Sequence, residues 1–582
     1  MTATPSPRGT SAVAIRIGRL EGDGPHVVSA EGHDLVVVRT AAGLRAFQGH
    51  CPHRGALLGE GELEGETLVC RNHRWRFDAS DGKRLDGPGC LVGYPATEVD
   101  GEIVIEFRGA DSKTQPSAAR RRIDTLPGPK GLPLVGNAFQ LDIPRLHEIL
   151  EGWAAEYGPV YRYRLGPNTL VAVTDPDLVD EALRNRPERF RRLHAVETVF
   201  EEMKVSGVFS AEGAAWRPQR RLSMEALSHR HLRDFYPTLA RVAGRLRARL
   251  ARAADAGEPV DIVDTLKRFT VDVTTILTLG HDVNTLEQGD DVIQRKLEQI
   301  FPAFNRRLFA LFPTWRLVRL PVDRRLDEAL AELHAWMRTL VAEARARLGA
   351  DPSRAQSPAN FLEAMVAARD EEGRPFDEDV ILGNLVTMLV AGEDTTAYTL
   401  AWAVHHLCDE PDVVSAMTRE IASVMGNDAV PDTFETANRL VYAAAVANET
   451  MRLRPVAPII ILEANEDTVL GDIELPARTG VSVLLRPAAV DAENFADPKA
   501  FRPERWLPGA PGPHEPSVHM PFGSGPRLCP GRALALLEMK LVLATLYGAF
   551  TIERRGKSAV VKEQFTFTMN PVGLEVTVRH RG

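Results

Sequence analysis

Five cysteines punctuate the 582-residue chain, and three of them stand among neighbours that suggest chemistry. Two lie in HCPHRGALL and VCRNHRWRF, giving the spacings Cys51-x-His53 and Cys70-x-x-His73 with sixteen residues between the pairs. Thiolates and imidazoles supplied by two loops can bind zinc or an iron–sulfur cluster, since both accept tetrahedral sulfur and nitrogen ligands. Ligand chemistry alone does not choose between them. The third is Cys529 in PFGSGPRLCPGRALALLEMKLVL, a glycine-rich loop running into an amphipathic helix. A helix N-terminus stabilises a thiolate, and Gly523, Gly525 and Gly531 would let the backbone approach a flat ligand closely. Cys90 and Cys408 fit neither pattern and are expected to be buried free thiols.

A zinc finger usually offers a cysteine pair and then a histidine pair, whereas here each loop carries one of each. That alternation, together with Pro52, Gly55, Trp75, Phe77 and Tyr94-Pro95, resembles the Rieske [2Fe–2S] ferredoxin family. The resemblance implies that Cys51 and Cys70 hold one iron while His53 and His73 hold the other. One departure is that the glycine which usually follows the second histidine is Arg74. With Arg54, Arg71 and Arg76 it puts four cations near the cluster tip, which favours the reduced form and raises the potential.

The run Phe522-Gly523-x-Gly525-x-Arg527-x-Cys529-x-Gly531 resembles the haem-binding loop of the cytochrome P450 superfamily, in which the cysteinate is the axial iron ligand. Three further elements stand in the order this family requires. Glu449 and Arg452 in ANETMRLRP match its Glu-x-x-Arg pair, with Arg505 as the third member. Trp216 and Arg220 match its Trp-x-x-x-Arg helix, so that these two and Arg527 are the expected contacts of the haem propionates. Gly392, Asp394 and Thr395, in AGEDTT, match its oxygen-binding groove, where the glycine opens a helix and the acid and alcohol relay protons to dioxygen. A threonine inside a helix otherwise bonds back to the carbonyl four residues earlier, and that is the expected role of Thr396.

The elements that must position these residues fall into two classes. Short β-rich runs (HVVSA, DLVVVRT, ETLVC, EIVIEF) separated by Gly and Asp fill residues 14–107. RGADSKTQPSAARRR, residues 108–122, has no apolar periodicity and reads as a linker with a span of roughly 20 Å. Helical patterns dominate from 123 to 582, among them one from about Asp377 to Cys408 that would be roughly 48 Å long. The expected architecture is multidomain α+β: a small all-β domain (1–107), a linker, and a mainly α domain with small sheets (123–582). A hydrophobic content of 44% supports large cores. The net charge of −9 has the wrong sign for a nucleic-acid binder, and no apolar run is long enough for a transmembrane anchor. A cytoplasmic location is expected.

The two resemblances together imply a ferredoxin fused to a haem-thiolate monooxygenase, with a [2Fe–2S] cluster and haem b as cofactors. It would pass single electrons from cluster to haem and use O2 to oxygenate a hydrophobic small molecule. No flavin or nicotinamide module is evident, so a separate NAD(P)H-dependent ferredoxin reductase is the expected partner. A peroxide-driven peroxygenase and a redox or gas sensor are the alternatives, and the Asp394-Thr395 pair disfavours both. The pocket is expected to be lined by about 196–211, 300–321, 456–462 and 568–572. Docking poses a conflict: Arg217, Arg221, Arg532 and Lys540 suggest a basic cysteine-side face on the haem domain, while the cluster tip is also basic. The expectation is docking on an acidic patch of the haem domain, or sideways through ferredoxin acids such as Glu60, Glu62, Glu64 and Glu66.

Overall fold

The computed structural model describes residues 13–17, 20, 22–30, 33–41, 43–52, 57–70, 75–86, 90–99, 102–107, 120–289, 299–308, 310, 313–356, 358–369, 373–426, 428–509, 514–556 and 561–581. His53, His73, Arg54, Arg71, Arg74 and most of the expected linker lie outside these residues.

The N-terminal part is built of antiparallel strands in three small sheets. Its centre is the strand His33–Thr40, paired with His26–Ala30 on one side and Gly43–Gln48 on the other. The run Leu35-Val36-Val37-Val38 is continuous rather than alternating because both faces are buried. Leu35 and Val37 pack with Ile15, Val28, Ile103 and Ile105. Val36 and Val38 face a second core that contains Phe47, Leu58, Leu68, Phe77 and both cysteines, Cys51 and Cys70. One strand therefore holds the cysteine-bearing loops against a core of their own.

Arg121 and Arg122 pair in parallel with Ile473–Leu475, and the Arg121 guanidinium grips Asp472 through two hydrogen bonds of 2.7 and 2.8 Å. From there the chain is mainly helical. The long helix spans Glu378–Leu407 and is buried around most of its circumference, as its apolar composition requires. Acids (Glu378, Asp379) stand in its first turn, matching the helix dipole; His405 and His406 in its last turn are kept from charging by burial. It packs along Ile262–Leu279, and at Gly392 the approach is so close that a Cβ would lie 2.4 Å from Thr274 Cγ2. His229–Ala256, Val441–Leu453 and Arg532–Ala549 complete the principal core. A five-stranded sheet, in the order Val160–Leu165, Asn168–Val173, Gly480–Leu484, Ile459–Ala464 and Phe190–Arg192, closes the other end. Among the described residues no helix is long and apolar enough to cross a membrane.

Candidate functional site

A cavity lies between the long helix and the loop that carries Cys529. Its wall includes Trp216, Arg220, Gly392, Thr395, Phe522, Gly523, Arg527, Cys529 and Gly531. The loop is shaped locally: Gly523 has φ +76°, and Gly525 has φ +70° with a Cβ position 2.7 Å from the Leu183 carbonyl oxygen. Neither glycine tolerates a side chain without strain, but Gly525 packs against the helix Pro176–Arg184 and is absent from the cavity wall. The Cys529 amide donates to the Phe522 carbonyl at 3.0 Å, which closes the loop. Burial pushes the Cys529 thiol up, while the amides of Gly531 and Arg532 and the charges of Arg220 and Arg532 act in the opposite direction, toward thiolate.

Four arginines line the same wall: Arg186, Arg192, Arg220 and Arg527. Among the described wall residues the one acid is Glu538. Burial lowers Arg186 to about 10 and Arg527 to about 9, and the arginines repel one another. Nε and Nη2 of Arg186 and Nε of Arg527 are buried without a hydrogen-bond partner. Such a cluster is costly unless anions meet it, and the two propionates of a haem facing Cys529 are anions of the right kind. Arg527 also donates to Ala211 O at 2.8 Å, pairs with Glu212, and lies 4.2 Å over the Trp216 ring. Sequence reasoning missed Arg186 and Arg192, which sit in RNRPERFRR with no motif to mark them.

Glu449, Arg452 and Arg505 are not brought to the cavity. They form a buried frame beneath it: Arg452 bonds Glu449 through Nε (2.9 Å) and Nη2 (2.8 Å), and Arg505 Nε adds a third bond at 3.0 Å. Arg452 also donates to the carbonyls of Ala489, Pro498 and Ala500. The three residues thus fix the chain that leads into the cysteine loop instead of facing a cofactor.

The bond back to the backbone expected of Thr396 is made by Thr395, which faces the cavity. Thr395 Oγ1 donates back to Ala391 O at 2.9 Å while facing the cavity. Thr396 donates instead to Glu538, a carboxyl that burial pushes up to about 8. Glu538 was also missed, although a lone acid in LALLEMKLVL is its signal. Asp394 does not reach the wall; its carboxylate and that of Glu393 each lie 3.3 Å from Lys267 Nζ. The helix runs unbroken through Gly392, whose place is a close helix crossing rather than an opening. The remaining wall is apolar and includes Val196, Phe200, Phe304, Val456, Ile460 and Phe567.

In the N-terminal domain Cys51 and Cys70 are 1% and 0% exposed within one core, and neither is in a disulfide. The Cys70 amide donates to Trp75 O at 2.8 Å, which closes the loop 70–75. Two buried thiols held in one small core fit the cysteine half of a cluster site. Cys90 corrects an expectation, because it is exposed, with Sγ against the carbonyls of Asp81 and Leu91. Cys408 is half-buried, and burial raises its thiol to about 11.

A family model described as Cytochrome P450 matches residues 126–578. The chain belongs to the cytochrome P450 family. A second model, Rieske [2Fe-2S] domain, matches residues 12–95 of the same chain. A cysteine-ligated haem and a [2Fe–2S] cluster are therefore its cofactors. Human mitochondrial 25-hydroxyvitamin D-1 alpha hydroxylase is 30% identical over 474 residues, covering 78% of this chain and 92% of its own. A self-sufficient cytochrome P450 monooxygenase of Penicillium expansum is 27% identical over 470 residues (79% and 43%). A bifunctional cytochrome P450/NADPH–P450 reductase of Gibberella moniliformis is 26% identical over 478 residues (80% and 41%). The chain thus spans less than half the length of these two fungal relatives.

Proposed function

We propose that this P450 is a ferredoxin-coupled monooxygenase. A substrate RH, O2, two electrons and two protons yield ROH and water. The electrons come singly from the Rieske domain, which a separate NAD(P)H-dependent reductase reloads; that requirement for NAD(P)H fits a cytoplasmic location. When bound, the cysteine-ligated haem supplies O2 binding and reduction, and the cluster supplies one-electron transfer.

The chain's own residues do the rest. Cys529 would hold the haem iron through its thiolate, and Arg186, Arg192, Arg220 and Arg527 would meet the propionates as cations. The apolar wall excludes water and suits a hydrophobic substrate. Thr395 places its hydroxyl at the cavity, where Oγ1 donates to Ala391 O and rotation about the Cβ–Oγ1 bond would turn the proton toward a bound species. Asp394, the next residue, lies 3.3 Å from Lys267 Nζ; turned away from Lys267, its carboxylate would take a proton from solvent and pass it on to Thr395. The observation that carries the proposal is the union, in one cavity, of Cys529, four arginines and Thr395. Product formation with NAD(P)H and a ferredoxin reductase, set against formation with peroxide alone, tests it; turnover with peroxide only would assign a peroxygenase instead.

Two outcomes follow directly. The purified holoprotein should contain one haem, with about two non-haem irons and two acid-labile sulfides; stoichiometric zinc without sulfide would remove the ferredoxin half. Thr395→Ala should retain the haem spectrum and the substrate-induced spectral shift. Product per NAD(P)H consumed should fall at least about tenfold, with peroxide replacing it. An unchanged yield would count against a proton at Thr395.

A further inference from the structure

Among the described residues, two ion pairs join the ferredoxin domain to the haem domain, and both end on the helix Trp216–Ala226. Arg217 donates from Nη1 to Asp34 Oδ1 at 3.0 Å and from Nη2 to Glu188 Oε1 at 3.3 Å. One turn later, Arg220 Nε lies 3.4 Å from Glu60 Oε1. The side chains of Asp34 (4% exposed), Arg220 (6%) and Glu60 (14%) are withdrawn from water, while that of Arg217 is 32% exposed. Exposed pairs contribute little, whereas removing one partner of a buried pair leaves a costly lone charge.

Asp34 also faces back into its own domain. Its second oxygen lies 3.6 Å from His50 Nε2, the residue before Cys51, and its carbonyl accepts from the Gly49 amide at 2.7 Å. There is no room for a side chain at Gly49, where a Cβ would fall 2.4 Å from the Asp34 carbonyl. The carboxylate thus ties the cysteine-bearing loop to Arg217. The same helix that carries Arg217 contributes Trp216 and Arg220 to the cavity wall.

We infer that Asp34 and Glu60 latch the ferredoxin domain onto the helix Trp216–Ala226 through Arg217 and Arg220. The inference rests on the electron-transfer reading above and gives it a place. On this helix the basic residues Arg217 and Arg220 meet acids of the ferredoxin domain, Asp34 and Glu60. Glu60 is one of the acids expected to dock; Asp34 was not foreseen, since a single Asp opening a hydrophobic strand reads as a turn residue. Arg220 serves both sides, so seating the domain and ordering the cavity wall draw on one guanidinium. The step is a single electron leaving the cluster, oxidised by one, and entering the haem, reduced by one; no atom is transferred.

The test uses the full holoprotein with Arg217→Glu and Glu60→Lys, one substitution in each domain. Domain separation is read by small-angle X-ray scattering, and haem reduction by following a photoreduced cluster at low salt. Both variants should open the particle and slow haem reduction on the order of tenfold, with the cluster's paramagnetic signal and the carbon monoxide spectrum unchanged. The swapped pair Asp34→Arg with Arg217→Glu should recover most of the rate. Separation and rate unchanged in both variants would overturn the latch. If one variant loses its cofactor signal, the other, in the opposite domain, decides in the same way. If the unaltered protein never passes an electron from cluster to haem, the electron-transfer reading falls, while separation alone still decides the latch.

Discussion

Cys529→Ala is expected to abolish the thiolate-type carbon monoxide spectrum and all turnover while leaving the cluster's paramagnetic signal at full strength. Cys529 is the wall residue able to give a thiolate, and its surroundings are arranged for that state. Burial alone would keep it protonated, and the amides of Gly531 and Arg532 with the charges of Arg220 and Arg532 oppose burial. Alanine removes the ligand and leaves these groups facing a cavity in which Nε and Nη2 of Arg186 and Nε of Arg527 already lack partners. Haem retention should therefore fall too, and any haem that remains should show the spectrum of another axial ligand. The cluster should not respond, because Cys51 and Cys70 lie in a core of Val36, Val38, Phe47, Leu58, Leu68 and Phe77 that includes no residue of the haem domain. A surviving thiolate spectrum would remove Cys529 from its role; loss of the cluster signal would show that the two domains do not fold independently.

What the sequence makes legible is chemistry with a fixed spacing. The cysteine–histidine pairs, the cysteine loop and the Glu-x-x-Arg pair are each set by local geometry, so their residues can be read without a fold. The strand Leu35–Val38 was legible as a strand, and its continuous apolar run carried the further information that both faces are buried. The long helix was legible to within a residue at each end, because Pro375 and Pro411 and the charged first turn bound it. Residues whose meaning depends on distant partners were not legible. Arg186 and Arg192 become cavity residues only when the sheet edge near Phe190 meets the cysteine loop. Thr395 and Thr396 differ by one helical step of about 100°; both reach the cavity wall, but one bonds back to Ala391 O and the other meets Glu538. Gly392 reads as a helix opening by motif and is a helix crossing by packing, since only the structure shows Thr274 against it. Asp34 and Glu60 acquire partners 183 and 160 residues away, and no local pattern encodes that.

Glu449→Ala is expected to be among the most destabilising substitutions in the haem domain, although its side chain is not part of the cavity. Its two carboxylate oxygens accept from Arg452 Nε and Nη2, Arg505 Nε, Trp506 Nε1 and the Arg502 amide, all within 3.0 Å. Glu449 and Arg452 are wholly buried and Arg505 nearly so. Alanine would leave two guanidinium groups in the interior with carbonyls but no counter-charge, a loss of about 3–5 kcal/mol for a buried pair. Against a typical domain stability of about 5–15 kcal/mol, that is enough to put a large fraction of the haem domain at risk of unfolding near physiological temperature. The substitution should lower the thermal midpoint of the haem-domain transition sharply and release haem. The ferredoxin domain should keep its cluster, since no residue of this network belongs to it. Glu449→Gln preserves acceptance at one oxygen but loses the charge, and should fall between alanine and the unaltered protein. The contrast is Glu553→Ala, which breaks a pair with Arg579 whose side chains are 55% and 64% exposed; such a pair is worth about 0–1 kcal/mol, and the midpoint should barely move. Calorimetry of the three variants decides the matter: if Glu449→Ala behaved like Glu553→Ala, the buried network would not be what holds the approach to the cysteine loop in place.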